Sequence, residues 1–269
     1  MHTKQELDKR LAQAGIQPLK KLGQNFLLNP KICTALIDEV KSCNPQSVLE
    51  LGPGMGALTD ELLPGPWKTT LVELDAGMVK YWHAKFPELE IIHKDALKID
   101  WQTLELLKPS VIVSNLPYSV AASLVVELSS LNEMVFQDMI LMFQKEVAER
   151  IAADFHADDY GMLSVMAQTA WNITKVIDAG PQDFFPVPNV GSRVLRFTWK
   201  QPSFDREKFL KFIKACFAQR RKKLSTNLSS WYPKEKIKAV YDSMGLSTDT
   251  RAQELDIARF TDLFKALSE

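Results

Sequence analysis

The chain has 269 residues, 46% hydrophobic and 25% charged, a composition that excludes wholesale disorder and suits one main domain with a small appendage. Thirty-three Lys and Arg balance 33 Asp and Glu, no apolar run approaches the ~18 residues of a membrane helix, and the charged start MHTKQELDKR is unlike an export signal. Cys33, Cys43 and Cys216 form no CxxC pair and the four histidines share no ligand spacing, which argues against disulfides and metal and fits a reducing cytoplasm.

Thr3-Lys4-Gln5-Glu6 has the form of a capping box, and a short amphipathic helix is expected after it. A basic, glycine-containing segment follows, Lys20-Lys21-Leu22-Gly23-Gln24-Asn25-Phe26-Leu27, and 30–42 is helical in pattern. Apolar runs of strand length at 47–51, 70–73, 91–93, 111–114 and 139–143 then alternate with helical stretches such as 57–63, 120–128 and 144–155. That alternation, without hairpin signals, predicts a parallel, doubly wound sheet. Runs at 173–177 and 194–199 flank Phe185-Pro186-Val187-Pro188 and can pair antiparallel at the sheet edge. From residue 203 three apolar helical patterns follow, predicting a small all-helical domain over 203–269 after a main domain over 1–202. Between Arg206 and Lys238 there are 11 basic and 2 acidic residues, so one basic face is expected on a mildly acidic body.

The first long strand runs into Gly52-Pro53-Gly54-Met55-Gly56-Ala57, where glycines let backbone approach a ligand. Gly52, Gly54 and Ala57 satisfy the dinucleotide fingerprint as well as a methyl-donor loop. Glu73 closes the second strand 21 positions after Gly52, where a carboxylate can hold ribose hydroxyls. Asp95 is placed either to accept from the amino group of a cofactor adenine or to cap a helix. Asn115-Leu116-Pro117-Tyr118 is more specific. The Asn115 side-chain carbonyl and the Leu116 backbone carbonyl can both accept from an exocyclic amine, favouring a pyramidal nitrogen whose lone pair faces a methyl group. Pro117 supplies no competing N–H, and Tyr118 can stack on an extracted base.

Together with Gly23-Gln24-Asn25-Phe26-Leu27, Leu49-Glu50-Leu51-Gly52-Pro53-Gly54 and Asp95-Ala96, this tetrapeptide resembles the signature of the rRNA adenine N6,N6-dimethyltransferases, and most of all their bacterial small-subunit branch. The likeness spans nearly the whole chain, including 141–150, 160–165, 184–188 and 217–223. It implies a Rossmann-like class I methyltransferase with a mostly parallel seven-stranded sheet, bound to S-adenosylmethionine. By position, Asn25 and Leu27 would close over the cofactor, Gly52 would meet its methionine portion, Glu73 its ribose and Asp95 its adenine. Asn115 would border both methyl donor and target amine, and Tyr118 and Phe184 would sandwich the base. Lys20, Lys21, Arg220, Arg221, Lys222 and Lys223 would hold RNA phosphates.

The implied activity is dimethylation of two adjacent adenines near the 3′ end of small-subunit rRNA in a pre-ribosomal particle, by a cytoplasmic monomer without a membrane or metal. A large-subunit rRNA methylase of the erythromycin-resistance type and a non-catalytic RNA-binding assembly factor are the alternatives. The chain departs from the family pattern at Ser119-Val120-Ala121-Ala122 and at Gly191, and Arg193 adds a cation there, beside the expected target pocket.

Overall fold

A computed structural model describes residues 3–16, 25–115, 118–201 and 203–268, with Tyr118 and Ser119 by backbone alone. By its internal contacts the chain divides into two units. The first comprises Met1–Leu124, Met134–Ala148 and Ile173–Trp199; the second comprises Val125–Glu133, Glu149–Asn172 and Lys200–Glu269.

In the first unit Thr3 Oγ1 accepts from the Glu6 N–H (3.1 Å) and starts α1, Lys4–Ala14, which ends at Gly15 with φ 64°. A two-residue strand β1, Phe26–Leu27, precedes α2, Pro30–Ser42, whose cap Asn29 accepts from the Lys31 N–H (2.9 Å) with Pro30 opening the first turn. The alternation then unfolds as β2 Ser47–Leu51, α3 Thr59–Leu62, β3 Lys68–Glu73, α4 Ala76–Lys85 and β4 Glu90–His93. It continues with β5 Ser110–Ser114, α5 Tyr118–Leu128, β6 Asp138–Gln144, α6 Lys145–Ile151, α7 Met162–Ala170, β7 Trp171–Ala179, β8 Phe184–Phe185 and β9 Ser192–Trp199.

Seven strands form one sheet in the order β4-β3-β2-β5-β6-β9-β7, and β1 pairs antiparallel with β8 in a separate ribbon. The pairs β2–β3, β2–β5, β3–β4 and β5–β6 are parallel, and β9 runs antiparallel to β6. This is the Rossmann-like, doubly wound arrangement. Every residue of β2 and β5 is buried, as a sheet covered on both faces requires, whereas outermost β7 carries exposed Asn172, Thr174 and Lys175. The short ribbon and helix α7 have no local sequence signal, and the helix expected over 144–155 stops at Ile151.

The second unit packs α8 Arg206–Cys216, α9 Leu224–Leu228, α10 Lys234–Met244 and α11 Ile257–Ser268 around Phe209, Phe212, Ile237, Tyr241, Phe260 and Leu263. It also takes in segments from well before residue 203. Val165 and Met166 of α7 join that core, Tyr160 Oη donates to Leu255 O (3.1 Å), and Trp171 Nε1 donates to Ser129 Oγ (3.0 Å).

Arg206 belongs to this interior and not to the basic face on which its charge was counted. Its Nη2 donates to Ala170 O (3.2 Å) and to Lys200 O, its Nη1 to Leu131 O (3.4 Å), and burial pushes its pKa down to about 10. Removing it takes a donor from Leu131 O and Lys200 O, while Ala170 O keeps the Lys200 N–H (3.0 Å). Arg206→Met is therefore expected to lower stability by about 2–4 kcal/mol in urea denaturation of the full chain. Unchanged stability would mean that the cost of desolvating the guanidinium cancels its hydrogen bonds.

Candidate active site at the strand ends

Parallel pairing fixes which side chains meet. Leu51 stands opposite Val72 on one side and Ser114 on the other, so Gly52, Glu73 and Asn115 lie next to one another at the carboxyl ends of β2, β3 and β5. Glu73 in turn pairs with His93, two residues before Asp95. The chain proceeds outward from β2 to β4 on one side and from β5 to β6 on the other. The switch between β2 and β5 is where open α/β sheets take their ligands.

The turn after β2 is shaped by glycine and braced from outside. Gly54 has φ 51° and Gly56 φ 95°, values that disfavour other residues; a Cβ on Gly56 would also lie 2.7 Å from the Trp82 ring. Trp82 Nε1 donates to Gly54 O (2.9 Å), and Arg10 Nη1 donates to Met55 O (2.9 Å) while pairing with Asp60 (2.6 Å). Arg10 is anchored in turn by Glu6 (2.7 Å), and Lys85 joins Asp60 (3.1 Å). Helix α1 thus seats on the turn through Leu7 and Leu11, which pack with Phe26, Met55 and Met78. Arg10 and Trp82 carry no motif and escape a linear reading; the i,i+4 spacing of Glu6 and Arg10 is their only trace.

Three further side chains line these ends. Glu73 Oε1 accepts from the N–H groups of Leu74 and Asp75 (both 2.8 Å), which fixes the carboxylate at the strand end; burial pushes its pKa up against the pull of those donors. Beside it Leu74 is 51% exposed, an apolar surface that the sequence reading passed over. Asp95 Oδ1 accepts from the Leu97 N–H (3.0 Å) and caps a short 3-10 helix, Ala96–Lys98. The capping role does not engage both carboxylate oxygens. Under the turn, Glu50 is 2% exposed and its Oε2 has no hydrogen-bond partner among the described residues; burial pushes its pKa up to about 8.

Asn115 Nδ2 donates to the backbone carbonyl of Asn25 (3.2 Å), joining the N-terminal segment to the end of β5. One donor of the amide is thereby engaged. Leu27 and Phe184 face each other in the β1–β8 register; Leu27 is fully buried and Phe184 2% exposed, both in the core that also holds Val194 and Ala179. Arg193 does not stand as a loose cation beside the pocket. It grips Asp178 with Nε (2.6 Å) and Nη2 (3.1 Å), and those bonds hold the Asp178 carboxyl well below the usual range. Lys20, Lys21, Leu116 and Pro117 lie outside the described residues; Tyr118 opens α5, its side chain likewise outside them. Arg220, Arg221, Lys222 and Lys223 belong to the second unit, on a turn between α8 and α9 and not on a helix, because Asn227 Nδ2 takes the carbonyls of Cys216 (2.7 Å) and Gln219 (3.3 Å).

Two outcomes are expected. Arg10→Met frees the Met55 carbonyl and should weaken cofactor binding about tenfold by calorimetry, with turnover at saturating cofactor little changed; unaltered affinity would reduce Arg10 to a helix anchor. For Glu50, the folded chain holds its proton to about pH 8 while the unfolded chain releases it near 4.5. The unfolded state binds fewer protons in that window, so stability falls as pH rises through it. Glu50→Gln should remove a slope of roughly 1 kcal/mol per pH unit from denaturation curves; a slope that persists would mean an ionised Glu50.

Comparison with known proteins agrees with this geometry. A family model for ribosomal RNA adenine dimethylase matches residues 17–269. The chain is 42% identical to ribosomal RNA small subunit methyltransferase A of Bdellovibrio bacteriovorus over 270 residues, covering 98% of this chain and 97% of that one. It is 37% identical to the Mycoplasma mobile protein of the same name, covering 93% and 98%. Among solved structures, a dimethyladenosine transferase from Plasmodium falciparum superposes with TM-score 0.76 at 26% identity, covering 88% of this chain and 95% of that one. The 23S rRNA methyltransferase ErmE shares the fold with TM-score 0.67 at 24% identity, covering 91% and 100%. A strand-end glycine turn, a buried strand-end carboxylate and an adjacent asparagine thus coincide with a match over nearly the whole chain, and the chain belongs to the ribosomal RNA adenine dimethylase family.

Proposed function

We propose that this chain transfers methyl groups from S-adenosylmethionine to the N6 amines of two adjacent adenines near the 3′ end of small-subunit rRNA, giving dimethyladenosine. It does so as a cytoplasmic monomer acting on a pre-ribosomal particle. No helix among the described residues is long and apolar enough to cross a membrane. The observation that carries the reading is the Asn115 amide, committed through Nδ2 to Asn25 O and lying one residue beyond the Leu51–Ser114 pair.

The residues fit the cofactor. The Gly52–Gly54 turn offers backbone that a side chain would obstruct, Glu73 a fixed carboxylate for ribose hydroxyls, Leu74 an apolar face for a purine, and Asp95 an acceptor for its amine. Asn25 and Leu27 stand for the N-terminal side of that site. S-adenosylmethionine, when bound, supplies an electrophilic methyl on sulfonium sulfur. The chain's own task is positional. An exocyclic amine is a poor nucleophile while its lone pair is delocalised into the ring. Asn115 Oδ1 and Leu116 O accept hydrogen bonds from its N–H groups, favour a pyramidal nitrogen, and turn the lone pair toward the cofactor side. No general base is required before attack, since the proton becomes acidic only after nitrogen is alkylated. Tyr118 stacks the extracted base. Phe184 serves as its second wall once its ring is uncovered. Lys20, Lys21 and residues 220–223 hold phosphates.

Asn115→Ala should reduce methyl transfer at least ~100-fold while cofactor and RNA affinities stay within a few-fold. Mass analysis of rRNA fragments after incubation reads the base and the number of methyls. Transfer near the wild-type rate would remove Asn115 from the chemistry, and a wild-type chain that binds rRNA without modifying it would favour the assembly-factor reading.

A further inference from the structure

In the second unit, Trp231 is the single large apolar side chain that stands exposed among the described residues, at 57%. The other members of that class, Leu74, Leu107, Met134, Val187 and Val190, belong to the first unit. Its setting is defined. Trp231 N–H donates to Leu228 O (2.9 Å) at the end of α9, which fixes the backbone, while its neighbour Tyr232 packs on the core. At the opposite end of α9 lies the turn carrying Arg220, Arg221 and Lys222. Asn227 links the two ends: its Nδ2 holds Cys216 O and Gln219 O, and its own carbonyl accepts from Ser230 Oγ (3.3 Å). Helix α9 itself is five residues, about 8 Å long at 1.5 Å rise per residue.

Charge sorts the same way. Lys208, Lys211, Lys223 and Lys238 are each paired with a carboxylate, and Arg206 is buried. Arg220, Arg221, Lys222 and Lys234, on either side of Trp231, have no carboxylate within salt-bridge distance among the described residues. Arg220 reaches only a backbone carbonyl, Asp158 O (3.4 Å). Glu235 is the single acid between residues 208 and 238. An exposed ring in the same unit as guanidinium and ammonium groups without carboxylate partners matches the chemistry of a single-stranded nucleic acid: bases to stack, phosphates to pair.

We propose that Trp231 is a stacking platform for an unpaired base of the RNA substrate, with Arg220, Arg221 and Lys222 holding the flanking phosphates. The proposal rests on the rRNA reading above and adds a second contact, remote in sequence from Tyr118, that selects unpaired RNA.

The test uses the full chain, a short unstructured single-stranded RNA, the same strand in duplex with its complement, and anionic phosphatidylglycerol vesicles. Trp231→Ala should weaken single-strand binding about tenfold, leave duplex binding and the slope of log Kd against log salt unchanged, and leave the melting midpoint where it was, since the ring is exposed. Trp231→Phe should restore affinity to within about twofold of wild type. Charge reversal at Arg220 and Arg221 should instead flatten the salt slope. A Trp231→Ala chain that binds single strands like wild type, or loses duplex binding equally, overturns the platform and leaves the rRNA reading intact. A wild-type chain that binds neither RNA sinks that reading as well. Vesicle binding that depends on Trp231, with RNA binding untouched, assigns the ring to a membrane surface and overturns the proposal.

Discussion

The register of β2 against β3 and β5 is the constraint on which the site depends. Leu51 sits between Val72 and Ser114, and that alignment sets Gly52, Glu73 and Asn115 shoulder to shoulder. The register is held by burial. Val48, Leu49, Leu51, Val111, Ile112 and Val113 are all at or near full burial, each worth roughly 1.5–3 kcal/mol relative to exposure. A one-residue slip would reverse the face of every side chain on a strand. It would also move Gly52, Glu73 and Asn115 out of line by a residue's rise. Ser114 Oγ, donating to Leu51 O (2.8 Å), adds a polar link at the point where the two strands open into their loops.

Around that edge the chain accepts local cost. Left-handed glycines and a carboxyl buried under the turn are features that a fold optimised for stability alone would avoid, and they gather where ligands approach. Compensation comes from outside the loop. Trp82 and Arg10 take up the outward carbonyls of Gly54 and Met55, so the peptide planes of the turn are set by α1 and α4 as much as by the glycines. The N-terminal helix is therefore part of the site's support, and Asn25, eleven residues beyond its end, contacts Asn115 directly.

Electrostatics follow the same division between residues committed to structure and residues left to act. Summed over the sequence, the charge is zero, and a count over 206–238 suggests a broad cationic face. The structure narrows it. Arg206 neutralises buried carbonyl dipoles, four lysines answer nearby acids, and Arg193 is spent on Asp178. Among the cations of that span left without a carboxylate partner among the described residues, Arg220, Arg221 and Lys222 share one turn, and the same unit carries an exposed indole.

Much of this was legible in the linear chain. Strands such as 47–51 announce themselves as continuous apolar runs because a sheet covered on both faces admits little else, and Gly54 and Asn115 stand out because few residue types suit a left-handed turn or a strand-end amide. The sequence by itself therefore determined the doubly wound class and the helical character of the C-terminal span, and it put Gly52, Glu73 and Asn115 at the ends of strand-length runs. Only the tertiary structure decided that Arg10 and Trp82 brace the turn, that β1 pairs with β8, that α7 joins the second unit, and that Arg206 is interior while residues 220–223 form a turn. The physical reason is range. Periodicity and turn chemistry act within a few residues and leave a local signature, whereas these contacts join groups from 8 residues apart (Asn227 to Gln219) to 45 apart (Arg10 to Met55) and beyond, where only the closed packing of the fold selects the partner.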